Sequence, residues 1–119
     1  MSLPGAATEA SGTAAHSAAT AVWNLAEDTV YWSPAVFRLL GHDPALGPLT
    51  LDQLPGRLVP RDRPVLCRMV TAALVHGRPL DGTVRVARAG GGASVHCSGR
   101  PELDPDGQVV SLRLRLRAC

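Results

Sequence analysis

The chain has 119 residues, and all 12 of its Lys and Arg positions are arginine. The length suits one domain with its own core, and a hydrophobic fraction of 45% with 18% charged residues excludes a disordered chain. A formal net charge of +2 is too small to indicate a nucleic-acid-binding protein.

The first 20 residues are rich in alanine, serine, threonine and glycine. They lack the basic region and the compact apolar region of a signal peptide, and no stretch of the chain approaches the roughly 20 apolar residues of a membrane span. We therefore expect residues 1–20 to form a flexible or partly helical segment, followed by one domain at residues 21–117.

The first predicted elements are two strands, at residues 22–25 and 29–32, joined by a turn at residues 27–28. The whole aromatic content of the chain lies in and just after this hairpin. The aromatic residues are Trp23, Tyr31, Trp32 and Phe37.

A short helix is predicted to begin at Ser33 and Pro34. Serine can cap the free amides, and proline at the first helical position has no N–H to lose. Phe37 and Leu40 give this helix an apolar stripe, and Gly41 ends it.

The next segment, residues 42–60, is rich in proline and glycine, so only short helical turns fit there. The best predicted turn runs over residues 50–54, with Thr50 as its cap. Asp62 then predicts the cap of the longest helix, at residues 63–76, which Gly77 ends. Its apolar stripe follows the helical spacing of Leu66, Met69, Val70, Ala73 and Leu74.

Three strands complete the domain. Strands are predicted at residues 80–88, 93–98 and 110–117, with turns at residues 89–92 and 104–107. Apolar and polar residues alternate along each strand, which is typical of strands with one face in the core. The order of elements predicts an α+β domain: a five-stranded antiparallel sheet, with the helices between strands 2 and 3 packed on one face.

Several motifs, in this order and spacing, are similar to a known family: WNL at 23–25, YWSP at 31–34, FRLLG at 37–41, VPRDR at 59–63, GRPL at 77–80, VRV at 84–86, GRP at 99–101 and DPDG at 104–107. Together they resemble the PAS domain, in the subclass that begins with a Trp-Asp-Leu strand and a Trp-Ser helix cap. The resemblance covers about residues 21–117. The chain departs from the pattern at Asn24, Val59 and Arg61, and it lacks the Asp-Ile/Val-Thr that commonly ends the last strand.

The resemblance implies a regulatory, sensory module of a larger bacterial signal-transduction protein. Such a module senses a small ligand, or it dimerises and relays a signal to an effector domain, which is a kinase, a phosphatase, a cyclase or a transcriptional output. A homodimer in the cytoplasm is expected. The alternative is a ligand-free module for protein–protein interaction, and a weaker alternative is a nucleic-acid-binding domain.

A ligand pocket would lie between the sheet and the helices, among apolar side chains. The candidate lining residues are Trp23, Phe37, Leu40, Leu54, Leu66, Met69, Val70, Val84, Val86, Val95, Cys97, Leu112 and Leu114. The alternative is that these side chains simply fill the core. The small residues Ala93 and Cys97 favour spare room.

We expect no flavin and no haem. Flavin photosensors of the LOV type carry a reactive cysteine in an Asn-Cys-Arg-Phe-like run before the long helix, and that run is absent here. Haem members often place a histidine on the long helix, where His76 is the candidate. A histidine at a helix end is also favoured by the helix dipole, which is the simpler interpretation.

The chain carries no pattern of an enzyme or of a metal site. The histidines, His16, His42, His76 and His96, have no metal-ligating partner at a useful spacing. No serine or cysteine stands in a nucleophile–base pattern. Cys67, Cys97 and Cys119 are odd in number and far apart, which argues against disulfides and for a reducing cytoplasm. We expect Cys67 and Cys97 to be buried and Cys119 to be exposed.

Arg113, Arg115 and Arg117 lie on the polar face of the last strand. They suit an acidic partner or nucleic acid, but a solvated strand face is the simpler interpretation. Arginine without lysine, beside abundant alanine, glycine and proline, indicates a GC-rich genome and weakens the case for a dedicated site. A nucleic-acid surface would also need interleaved aromatics, and none follow Phe37.

Overall fold

The computed structural model describes residues 18–89 and 91–119. Residues 1–17 of the predicted N-terminal segment therefore lie outside the described part of the chain. The described strands are Ala19–Asn24 (β1), Thr29–Trp32 (β2), Leu80–Arg88 (β3), Gly91–Leu103 (β4) and Val109–Ala118 (β5). The helical elements are Pro34–Leu40 (α1), Arg63–His76 (α2) and the 3₁₀ turns Pro44–Leu46, Leu54–Arg57 and Pro60–Asp62.

The strands form one antiparallel sheet in the order β2-β1-β5-β4-β3. All helical elements lie between β2 and β3 in the chain, and their buried side chains join the core on one face of the sheet. This confirms the predicted α+β class. No helix of the described residues is long and apolar enough to span a membrane.

Alternation along the strands decides which face is buried. In β5, Leu112, Leu114 and Leu116 are buried, whereas Arg113 and Arg115 between them are exposed. The same period of two holds in β1, which begins at Ala19, three residues earlier than predicted. Successive side chains of a strand point to opposite faces, so the sheet has one apolar face toward the helices and one polar face in water.

The start of α1 is as predicted, but Ser33 does not cap it. The Ser33 hydroxyl instead accepts a hydrogen bond from the Thr20 N–H at 3.0 Å and donates to the Ala18 carbonyl at 3.4 Å. The prediction of a side-chain cap was therefore wrong, because β1 offers this hydroxyl its own backbone groups. Ser33 joins the start of α1 to the start of β1.

The C-terminal end of α1 is held by two arginines from distant parts of the chain. Arg57 donates to the Leu40 carbonyl at 3.2 Å and to the Gly41 carbonyl at 2.8 Å. Arg88, in β3, donates to the carbonyls of Arg38, at 2.9 Å, and of Leu39. The last carbonyls of a helix lack partners within the helix and carry partial negative charge, so both guanidinium groups stabilise this end.

The long helix α2 has the predicted bounds, and Gly77 ends it in the left-handed conformation with φ of 64°. Its predicted side-chain cap is wrong. The Asp62 carboxylate accepts hydrogen bonds from the Arg85 backbone N–H at 2.8 Å and from its guanidinium at 3.1 and 3.2 Å. These bonds hold the pKa of Asp62 below its usual 3.8, so their contribution to stability is lost as the pH falls through this lowered pKa.

A turn is present over the predicted residues 50–54, and a 3₁₀ helix follows it directly at Leu54–Arg57. Residues 51–53 form a hydrogen-bonded turn, in which the Thr50 carbonyl accepts from the N–H groups of Gln53 and Leu54. Pro55 stands in the first turn of the 3₁₀ helix, where its fixed φ and missing N–H are tolerated. The predicted turn therefore starts at Thr50, and Pro55 favours the 3₁₀ helix that continues it.

Removing the Arg57 guanidinium should destabilise the fold without changing its compactness. We expect Arg57→Gln to lower the free energy of unfolding by about 1–2 kcal/mol, because charge-assisted bonds to the α1 carbonyls are lost. Urea unfolding followed by tryptophan fluorescence measures this as a lower midpoint at unchanged slope. The control is Arg68→Gln, an exposed position on α2 with no side-chain hydrogen bond to another described residue. An equal loss in both variants would contradict the capping role.

Candidate functional site

A small cavity lies between the apolar face of the sheet and the helical layer. Its volume is about 20 Å³, which is room for about one water-sized molecule. Every strand except β2, both α-helices and the Leu54–Arg57 turn contribute side chains to it, and all of the lining residues are apolar. They are Trp23, Val36, Leu40, Leu54, Leu58, Leu66, Val84, Val95, Cys97, Leu114 and Leu116.

The structure brings eight of the predicted pocket residues together around this cavity. They are Trp23, Leu40, Leu54, Leu66, Val84, Val95, Cys97 and Leu114. The other five lie elsewhere in or beside the core, namely Phe37, Met69, Val70, Val86 and Leu112. Ala93, taken as a sign of spare room, does not line the cavity either.

Three lining residues were missed by the sequence analysis, namely Val36, Leu58 and Leu116. Leu116 continues the alternation of β5, so the period of two was sufficient to find it. Val36 lies four residues before Leu40 on α1, and that spacing also indicates a shared face. Leu58 stands alone in the proline-rich segment, where it forms an isolated bridge with Val86. No local pattern marks it.

Met69 is turned away from the cavity toward β3. A Cβ atom on Gly82 would lie 2.7 Å from the Met69 sulfur, so the absence of a side chain at Gly82 makes room for this methionine. The long side chain fills the space between α2 and the sheet, as methionine commonly does in irregular gaps. Part of the predicted pocket is therefore closed by packing.

An aromatic cluster closes the core beside β2. The Trp32 ring lies 4.9 Å from Phe37 and 5.8 Å from His42, measured between ring centroids. The Trp32 indole N–H is buried and has no hydrogen-bond partner among the described residues. The Trp23 indole, in contrast, donates to the Leu49 carbonyl at 2.9 Å. A buried donor without a partner lowers the free energy of unfolding, so the Trp32 N–H is a destabilising polar group in an otherwise apolar core.

The three cysteines are free and occupy different environments. Cys97 is buried as predicted, and burial raises the pKa of its thiol to about 12, with a smaller contribution from Cys119. The folded chain thus holds this proton more tightly than the unfolded chain. The resulting stability is fully present below the usual pKa of 9.0 and is lost as the pH rises toward about 12.

Cys67 is exposed, so the expectation of a buried thiol was wrong. It follows Leu66 on α2, and one residue turns the side-chain direction by about 100° around a helix, out of the apolar stripe. Cys119 is exposed, as expected. His76 is exposed at the end of α2, and His42 and His96 lie apart from the cavity lining. Within residues 18–89 and 91–119, no group of three His, Cys, Asp or Glu side chains is arranged to hold a metal ion.

Comparison with known families decides the identity of this fold. The family profile described as PAS fold matches residues 29–113. The chain is a member of the PAS family. The matched region begins at β2 and ends within β5, so it includes most of the sheet and the whole helical layer. Among curated protein sequences, none matches the chain.

Several solved structures resemble the chain in fold at low identity. The N-terminal domain of a diguanylate cyclase with PAS/PAC sensor from Marinobacter aquaeolei has a TM-score of 0.72 at 17% identity, over 85% of this chain and 94% of that one. A domain of the putative light and redox sensing histidine kinase from Haloarcula marismortui has a TM-score of 0.70 at 17% identity, over 85% and 88%. An RNA-binding light-oxygen-voltage receptor has a TM-score of 0.71 at 18% identity. The match covers 85% of this PAS chain but 29% of that receptor.

Thiol reactivity provides a test of the site geometry. We expect two of the three thiols to react rapidly with Ellman's reagent in the folded protein at pH 8, because Cys67 and Cys119 are exposed. Cys97 should react only in guanidinium chloride, since burial keeps its thiol protonated and inaccessible. The variant Cys97→Ala serves as the control and should leave the rapid phase unchanged. Three rapid thiols in the native protein would contradict the buried position of Cys97.

Proposed function

We propose that this PAS domain is a regulatory, sensory module of a larger signal-transduction protein, which relays a signal to an effector domain. The observation that supports this most directly is the family match over residues 29–113. The similar domains named above come from a diguanylate cyclase and a histidine kinase. An effector of the kinase or cyclase type is therefore the first choice, ahead of a phosphatase or a transcriptional output.

The module itself acts without catalysis. The cavity described above is lined by apolar side chains, and its lining includes no general base and no side-chain oxyanion donor. Cys97, the lining residue with a potential nucleophile, is held as the protonated thiol. The three free thiols are in keeping with a reducing cytoplasm as its compartment.

The ligand that this cavity would accept is small, uncharged and apolar. A polar or charged group placed there would lose its water without gaining a hydrogen bond. The ring system of a flavin has a polar edge, which needs hydrogen-bond partners when it is buried. The cavity residues offer neither those partners nor the volume, and the exposed Cys67 is directed away from the core. The residues present therefore do not fit a flavin.

A second mode of action is a ligand-free homodimer. The small volume of the cavity favours it, because about 20 Å³ leaves the core nearly filled. In this mode the signal passes through protein contacts alone. The two modes differ in what binds: a small apolar molecule in the core, or a second copy of the chain at the surface.

Xenon is a suitable probe of the cavity, because it enters dry apolar spaces. We expect xenon pressure to shift the backbone NMR signals of lining residues such as Leu66 and Val95. The variant Val84→Ile adds a methyl group at the lining and should abolish these shifts, whereas Val75→Ile, at an exposed position on α2, should preserve them. Native mass spectrometry of the purified chain would show a retained ligand. Absence of any xenon shift would overturn sensing through this cavity.

Dimerisation is tested by sedimentation velocity over a range of concentrations. We expect the full chain to sediment as a dimer at micromolar concentration. If the N-terminal segment crosses the dimer, removing residues 1–17 should lower the apparent mass to that of a monomer. The deletion stops there because β1 begins at Ala19 and the Ala18 carbonyl accepts from Ser33. A monomer for both chains at all concentrations would contradict this mode.

A further inference from the structure

The outer face of the sheet, opposite the helices, carries four exposed arginines on two neighbouring strands. Arg100 on β4 lies directly opposite Arg113 on β5, and Arg115 and Arg117 follow on β5. We refer to these four residues as the arginine face. Like charges directly opposite each other destabilise a sheet, and nothing in the core requires arginine at outward positions. The arrangement is therefore unfavourable for folding alone.

The carboxylates near the arginine face have other partners. Asp81 lies 2.9 Å from the Nε2 atom of His96, and the Glu102 carboxylate accepts a hydrogen bond from the Ser111 hydroxyl. Among the described residues, the one arginine that forms an ion pair is Arg85, with Asp62. None of the four arginines forms an ion pair with a described side chain.

Three of the four arginines line one groove on this face of the sheet. Its volume is about 530 Å³, and its lining includes Arg100, Arg113 and Arg115, with Ser98 directly across from Arg115, as well as the carboxylate residues Asp81 and Glu102. Guanidinium groups bind carboxylates through two parallel hydrogen bonds, and a serine hydroxyl can donate a third. The groove is open at the surface.

We propose that the arginine face docks a carboxylate-rich segment of a partner polypeptide. Charge complementarity favours such a partner over two alternatives, which are a second copy of the chain and residues 1–17 of the chain itself. A second copy of the chain packed face to face would bring the same arginines together, which repels. Residues 1–17 of this chain contain one acidic residue, Glu9, and so match the face poorly.

Nucleic acid fits the arginine face less well than an acidic peptide. Strand-binding surfaces commonly stack bases on aromatic side chains, and Tyr31 is the one exposed aromatic residue of the chain. It pairs with Val22 on β1, and it lies two strands away from Arg113 and three strands away from Arg100. The docking inference goes beyond the proposed sensory function and holds whether or not the core binds a ligand.

Fluorescence anisotropy with fluorescein-labelled decaglutamate tests the proposal on the full chain. We expect binding at low ionic strength that weakens with added salt, and no binding of the neutral decaglutamine peptide. The double variant Arg113→Gln with Arg115→Gln should weaken binding of decaglutamate about tenfold or more. Circular dichroism and thermal melting of each variant show that it folds.

The matched control is Arg61→Gln with Arg68→Gln, at exposed positions before and within α2. Both double variants lower the net charge by two, so general electrostatic attraction would weaken equally in each. The proposal is supported if the control loses less than twofold in affinity for decaglutamate while the variant at Arg113 and Arg115 loses about tenfold. Equal losses, no binding of decaglutamate, or tighter binding of a mixed-sequence single-stranded oligonucleotide would each overturn the proposal.

Discussion

The alternation of leucine and arginine along β5 is the constraint on which the rest of the structure depends. β5 lies at the centre of the sheet, between β1 and β4, and its three inward leucines are 0%, 0% and 6% exposed. Burying a leucine side chain stabilises a fold by about 1.5–3 kcal/mol. A slip of one residue would place Arg113 and Arg115 in the core and Leu114 in water. The register of β5 with both neighbours is therefore specified far more strongly than by backbone hydrogen bonds alone.

β5 also borders both the core cavity and the outer groove. Leu114 and Leu116 line the cavity, while Arg113 and Arg115, one peptide unit away, line the outer groove. The helical elements are tied to β1, to β3 and to each other by polar contacts. Ser33 joins α1 to β1, Arg57 and Arg88 hold the end of α1, and Asp62 joins α2 to β3. The helical layer is thus fixed over the sheet at three separate places.

Periodicity was sufficient to predict most of the fold, but side-chain chemistry at element ends was not. The bounds of α2 and β3 follow from apolar spacing and from Gly77, which are local signals. Ser33 and Asp62 stand where helix caps are expected, yet both are taken by partners in distant strands, which no window of sequence can show. The same difference holds for the cavity. The apolar stripes of the strands and helices predict most of its lining, whereas the position of Leu58 depends on a bridge with Val86 in β3, which is distant in sequence. The exposure of Cys67 was predictable from helical geometry, since it lies one position away from Leu66.

The size of the cavity also limits how a signal can act on this domain. A ligand shifts a conformational equilibrium only by the difference in its affinity for the two states. The best small ligands gain about 1.5 kcal/mol per heavy atom, so a molecule of one or two heavy atoms gains at most about 1.5–3 kcal/mol, which is weaker than millimolar affinity. The outer groove has a volume of about 530 Å³ and is lined by three guanidinium groups, whereas the core cavity has a volume of about 20 Å³. For this PAS domain, we therefore expect a partner to bind more strongly at the surface of β4 and β5 than a small molecule binds in the core cavity.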